Sequence, residues 1–152
     1  MLNIIRTDST NTDFQGLVFL LDTDLKKRDG EEHTFYRQFN HIDSIKHAVV
    51  AYKDKQPIAC GAFKQHSEST AEIKRMFVHS DHRGQDIAQK VLRELEQWAA
   101  ELKYNTFILE TGKRQPEAIR FYEKAGYIRT PNYGQYQNVE NSVCMKKEIE
   151  AI

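Results

Sequence analysis

The order of hydrophobic and polar positions along the chain predicts a mixed fold of strands and helices. β-branched and bulky residues predict strands at residues 2–6, 47–52, 57–64, 71–78, 106–111, 127–129 and 142–146. Apolar residues at helical spacing predict helices at 13–25, 31–40 and 87–102, and a further helix that opens at Pro116 and ends before Gly126. A polar turn at 53–56 joins the second and third strands into a hairpin.

The helix at 87–102 connects two strands that we expect to be parallel, at 71–78 and 106–111. A strand–helix–strand unit of this kind makes a right-handed crossover. The expected fold class is therefore α/β (α+β): a mixed, mostly antiparallel sheet of about six to seven strands with one parallel pair, flanked by about four helices. A chain of 152 residues is expected to form a single domain over 1–152.

The amino-acid composition argues against some kinds of binding partner. The chain has 22 Lys and Arg residues and 22 Asp and Glu residues, so no overall basic charge favours nucleic acid or an anionic membrane. No apolar run approaches the roughly 18 residues that a membrane-spanning helix needs. Cys60 and Cys144 lie far apart, which favours buried thiols in a reduced, cytoplasmic protein. His79 and His82 have no further ligand nearby in the sequence, so we expect no metal site.

Residues 73–88 pass from a strand through a short loop into the long helix. The first turn of a helix directs unpaired N–H groups and the positive end of its dipole at one point, which suits phosphate. Gly84 allows a close approach of the backbone, and Arg83 adds a positive charge. An ordinary strand–helix turn is the alternative interpretation of this loop taken alone.

Two motifs resemble those of the GNAT superfamily of N-acetyltransferases. The first is Arg83-x-x-Asp86-x-Ala88 after a strand, and the second is the segment QPEAIRFYEKAGY at 115–127. The resemblance covers roughly residues 47–149. It implies acetyl-CoA as cosubstrate, bound where the parallel strands splay apart, and it leaves a homodimer open. Asp86 stands where the family has glycine. We expect its side chain to point away from the phosphates and to cap a helix N–H or favour the dipole.

The resemblance assigns roles to particular residues. Tyr122 matches the tyrosine that protonates the coenzyme thiolate, with a core tyrosine bonded to backbone as the alternative. Glu72 matches a strand glutamate that acts as base through water in one branch of the family, with a carboxylate paired to Lys74 or Arg75 as the alternative. Gln115 stands where the family often has asparagine. The predicted acetyl-CoA contacts are Met76, Phe77, Val78, Arg83, Gly84, Gln85, Asp86, Ile87, Ala88, Gln115 and Tyr122.

The amine acceptor is the part of the site that the sequence describes least. The long polar and aromatic loop at 131–141 is of a length that is often functional. The candidate substrate contacts are Tyr36, Glu110, Tyr133 and Tyr136, and Glu110 is also a second candidate base. The expected function is acetyl transfer from acetyl-CoA to a primary amine of a small molecule, by direct attack in a ternary complex. A non-catalytic coenzyme A sensor, or an acetyltransferase for protein lysines or N-termini, remain as alternatives.

Overall fold

A computed structural model describes residues 1–29 and 45–149. It contains seven strands: β1 (Leu2–Thr7), β2 (His47–Lys53), β3 (Gln56–Gln65), β4 (Thr70–Val78), β5 (Thr106–Gly112), β6 (Ile128–Thr130) and β7 (Ser142–Glu148). Its described helices are α1 (Thr12–Asp29), α2 (Ile87–Glu101) and α3 (Pro116–Lys124). Each of these confirms a predicted element. The helix predicted at 31–40 lies outside the described residues.

All seven strands form one sheet in the order β1-β2-β3-β4-β5-β7-β6. The β4–β5 pair is parallel, and every other neighbouring pair is antiparallel. β4 and β5 are paired only at Thr70–Thr106, Ala71–Phe107 and Glu72–Ile108, although both strands continue beyond these positions. The two strands therefore separate after Glu72, which confirms the predicted splay.

The sheet has a core on each face. On one face Ile73 and Met76 of β4 pack with α2, and on the other Phe77 packs with residues of α1. Between these positions the register of β3 and β4 shifts, and Arg75 has a positive φ of 62°. This bulge adds a residue to β4 and bends the strand beside the splay.

Gly61 of β3 allows α2 to lie close to the sheet. A Cβ atom at this position would lie 2.6 Å from Met76 Sδ and 2.7 Å from Leu95 Cδ1. Since real Cβ atoms do not approach neighbours so closely, any larger residue would push α2 or Met76 away. The glycine thus allows the middle of α2 to pack closely on β3.

Candidate active site

The splay opens a cavity between β4 and β5. Its volume is about 130 Å³, and α1 and α3 also contribute to its wall. The polar side chains around it include Glu72, Lys74, Arg75, Glu110, Gln115 and Tyr122. The structure therefore brings both predicted proton-transfer residues, Glu72 and Tyr122, to the same cavity.

Glu72 is the last paired residue of β4 before the strands separate. It is 6% exposed, and its carboxylate accepts a hydrogen bond of 2.7 Å from the hydroxyl of Tyr133. Lys74 Nζ lies 4.0 Å from the other carboxylate oxygen, so the strand pairing given as the alternative interpretation is present as well. Burial, reinforced by the charge of Glu72, raises the pKa of Tyr133 well above its ordinary value. Tyr133 thus remains protonated and holds Glu72 in place.

A second carboxylate, Glu110 on β5, lines the same cavity and accepts a hydrogen bond of 2.7 Å from Ser142 Oγ. Tyr136, also on the cavity wall, is buried, and burial raises its pKa. Three of the four candidate acceptor contacts, Glu110, Tyr133 and Tyr136, are therefore at or beside the cavity. The fourth, Tyr36, lies outside the described residues.

Tyr122 is presented by α3 and is 7% exposed. Its ring makes edge contacts with Phe121 and Tyr127. Within residues 1–29 and 45–149 its hydroxyl makes no hydrogen bond, so the backbone bond of a purely structural tyrosine is missing. Burial raises the pKa of Tyr122 above its ordinary value. The hydroxyl is consequently protonated at neutral pH and free to donate.

A larger cleft of about 410 Å³ lies between the N-terminal end of α2 and α3. Its wall includes Arg83, Gly84, Asp86 and Ala88 from the loop and first turn of α2, with Arg120 and Lys124 across from them on α3. The first N–H groups of α2 and these cations suit a pyrophosphate. The cleft therefore fits the diphosphate of coenzyme A, and Val78 at its edge belongs to the strand that borders the splay.

Asp86 occupies the N-cap of α2 in the left-handed conformation, with a φ of 61°. Glycine reaches this region without strain, which explains why a glycine fits this place in the motif. Aspartate is among the few other residues that adopt it with modest cost. The side chain forms no capping hydrogen bond, so the cap expected of it is absent, and Asp86 instead lines the cleft.

The end of β4 turns the backbone of alternate residues toward the splay. The N–H of His79 donates to Ile58 of β3 at 2.7 Å. Because the backbone of a strand faces alternate sides, Phe77 also turns toward β3, and Met76 and Val78 turn toward the splay. The Val78 carbonyl accepts a hydrogen bond of 2.9 Å from Arg83 Nε. Arg83 thus ties the loop to the strand.

Not every predicted contact residue presents its side chain to the cleft or cavity. Phe77 is buried in a core and could contribute only backbone, whereas Ile87 is buried but borders the cleft. Gln85 is exposed and accepts a hydrogen bond of 3.4 Å from Lys53. Gln115 caps α3 without a side-chain hydrogen bond and lines the cavity.

Sequence reasoning missed four cations. Arg120 and Lys124 stand four residues apart on α3, and this spacing was an available signal that both point to one side. Lys74 and Arg75 were considered only as partners of Glu72. No local pattern reveals the bulge that brings both of them to the cavity.

The model for the Acetyltransferase (GNAT) family matches residues 14–127. The chain belongs to this family. It is 31% identical over 102 residues to an IAA acetyltransferase of Azospirillum brasilense, an alignment that covers 66% of this chain and 67% of that protein. It spans only 27–28% of the length of the N-acetyltransferase 8 relatives of rat and human.

Solved structures agree with the assignment to the GNAT family. A protein of Klebsiella pneumoniae assigned as an acyl-CoA N-acyltransferase superposes with a TM-score of 0.83 and 28% identity, covering 99% of each chain. The PaiA N-acetyltransferase of Thermoplasma acidophilum, solved with coenzyme A, shares the fold with a TM-score of 0.73 and 16% identity, over 97% of this chain and 99% of that one. The protein is therefore a GNAT acetyltransferase, and its cosubstrate is acetyl-CoA.

Residues 1–29 and 45–149 contain no candidate membrane-spanning helix and no candidate metal cluster. None of the described helices is long and apolar enough to cross a membrane. No group of three or more His, Cys, Asp or Glu residues in that part of the chain is arranged to hold a metal ion. Both cysteines are buried and free, as the sequence predicts.

Proposed function

We propose that this GNAT acetyltransferase transfers the acetyl group of acetyl-CoA to the primary amine of a small molecule, by direct attack in a ternary complex. The observation that carries the proposal is the position of Glu72 and Tyr122 on one cavity, at the place where β4 and β5 separate. A base and an acid on the same cavity are what amide formation from an amine and a thioester requires.

The acceptor must lose a proton before it can react. The ordinary pKa of a primary amine is about 10.4 for a lysine side chain and about 8 for an α-amine, so either is mostly protonated at neutral pH. Glu72 takes this proton, either directly or through a water molecule. Tyr133 orients the receiving carboxylate through its 2.7 Å hydrogen bond. The neutral nitrogen then attacks the acetyl carbonyl, a C–N bond forms and the C–S bond breaks.

The departing thiolate needs a proton or a hydrogen-bond donor. Tyr122 supplies it, because burial keeps its hydroxyl protonated and no described residue accepts its hydrogen bond. The backbone of Met76 and Val78 holds the pantetheine arm along the splay. The loop and first turn at 83–88 hold the pyrophosphate, with Arg120 and Lys124 on the opposite wall of the cleft.

Glu110, Tyr133 and Tyr136 contact the acceptor in this account, and the role of Tyr36 stays a prediction. A cytoplasmic location and a homodimer also stay predictions.

A screen of acceptors tests the proposal. The purified protein is incubated with acetyl-CoA and with free amines, amino acids or lysine-containing peptides, and thiol release is recorded. We expect turnover of small amines above the rate of hydrolysis without acceptor. Turnover restricted to peptides would favour acetylation of proteins. Binding of acetyl-CoA with no turnover of any amine would contradict the proposal.

A further inference from the structure

Two adjacent cations line the cavity, and the proposed chemistry uses neither. In a regular strand Lys74 and Arg75 would point to opposite faces of the sheet. Ile73 packs against α2, so Lys74 points to the α1 face, and Arg75 reaches Asp22 of α1 on that same face. The bulge and the φ of 62° at Arg75 therefore bring both cations to one side. Such backbone strain is concentrated at functional sites.

Both cations lie on the cavity wall and are nearly buried. The Arg75 side chain is 3% exposed, and Nη1 donates to Asp22 Oδ1 at 2.8 Å. Its Nε is buried and has no hydrogen-bond partner in the described part of the chain. A buried donor without an acceptor is costly. Lys74, the neighbouring cation on the cavity wall, lies 4.0 Å from Glu72, and burial lowers its pKa.

The cavity is lined by charges of both signs. Glu72 and Glu110 line it together with the two cations. A simple amine would pair with the carboxylates and leave the two cations without a ligand. An anion without an amine would pair with the cations but would be repelled by the carboxylates. A molecule that carries both an ammonium and a carboxylate complements the whole wall. Arginine is well suited to the carboxylate, since its planar donors match carboxylate geometry.

The size of the cavity agrees with a small acceptor. The cavity volume is about 130 Å³. Leu21 and Leu25 of α1 add an apolar part to the wall. This combination fits a compact molecule with a short apolar portion.

We propose that the acceptor is a free amino acid, with its amine beside Glu72 and its carboxylate at Arg75 and Lys74. The inference rests on the proposed function for the amine, and it adds the requirement for a carboxylate. The carboxylate takes no part in the reaction itself. The C–N bond forms and the thioester C–S bond breaks, as they do with any other amine acceptor.

The test compares amino acids with their own amides, which replace the charged carboxylate by a neutral carboxamide. Because the carboxylate also raises the pKa of the neighbouring amine, the rates are expressed per neutral amine. We measure kcat/KM for both by thiol release and take the ratio of acid to amide. We expect the acid to be preferred at least tenfold. Arg75→Lys, which keeps a positive charge but lacks Nε, and Lys74→Met should each reduce the ratio severalfold. Lys90→Met, on the exposed side of α2, serves as the control and should leave it unchanged.

The ratio separates recognition from folding, because a partly unfolded variant loses rate on acid and amide alike. Amides or carboxylate-free amines used as well as amino acids would overturn the inference and leave acetyl transfer intact. A preference for acids that neither variant changes would also overturn it, since the carboxylate would then bind elsewhere. Failure of every amine, in a protein that binds acetyl-CoA, would refute both this inference and the proposed function.

Discussion

Replacement of Asp86 by glycine tests whether the backbone at the N-cap of α2 has the left-handed conformation. In an ordinary helical position glycine costs about 0.5–1 kcal/mol through backbone entropy. Here the φ of 61° changes this expectation. A left-handed conformation costs an L residue roughly 1–2 kcal/mol, and aspartate somewhat less. The two contributions nearly cancel, so Asp86→Gly should change the free energy of unfolding by less than about 1 kcal/mol, with the sign favouring the variant.

Two further substitutions separate backbone from charge. Asp86→Ala keeps a Cβ atom in the left-handed region, so it should be less stable than Asp86→Gly by about 1 kcal/mol. Asp86→Asn tolerates the same backbone and removes only the charge. Urea denaturation gives the stabilities, and calorimetric titration gives the affinity for acetyl-CoA.

For affinity we expect Asp86→Gly and Asp86→Asn to remain within a few-fold of the unmodified protein, because three cations, Arg83, Arg120 and Lys124, line the same cleft and offset the carboxylate charge. A tenfold gain in both, or about 1.4 kcal/mol, would show that the carboxylate opposes the pyrophosphate. Loss of more than about 1 kcal/mol of stability in Asp86→Gly would refute the left-handed assignment and favour the capping role instead.

Three other predictions follow from the same structure. Acetyl-CoA at a hundredfold excess over its dissociation constant should stabilise the fold by about 2.7 kcal/mol, and no thermal shift at millimolar concentration would contradict the cofactor site. Glu72→Gln should flatten the rise of the pH–rate profile toward basic pH, whereas Glu110→Gln should not; the reverse result would make Glu110 the base. Gly61→Ala should cost about 1–3 kcal/mol by overpacking against Met76 and Leu95. Gly16→Ala, with open space around it in α1, should stabilise the protein in the same denaturation experiment.

The strands and helices were predictable because their signals are local. The apolar stripe of α2, including Val91, Leu92 and Leu95, is buried as helical periodicity requires. Pro116 and Gly126 mark the ends of α3, and Gly126 has the positive φ expected beyond a helix end. The parallel pairing of β4 and β5 followed from the connecting helix.

The parts of the site that escaped prediction depend on contacts between distant residues. The bulge at Arg75 turns the Arg75 side chain to the opposite face of the sheet. The alternation of hydrophobic and polar residues in the sequence does not predict this change. Tyr133 donates a hydrogen bond to Glu72, although the two residues are 61 positions apart in the sequence. The left-handed conformation of Asp86 was also not predictable, since aspartate is a common N-cap residue in the ordinary conformation as well.

The central claim is that Tyr122 acts on the departing thiolate across the splay, and Tyr122→Phe tests it most directly. The change removes one hydroxyl that no described residue binds, so stability and acetyl-CoA affinity should remain near those of the unmodified protein. Tyr127→Phe is the matched control, because its hydroxyl donates to Glu96 at 2.7 Å and lies outside the cavity. Single-turnover rates of acetyl transfer, measured with a saturating amine, should fall about 10²- to 10⁴-fold in Tyr122→Phe and stay unchanged in Tyr127→Phe. An unchanged rate in Tyr122→Phe would contradict the account.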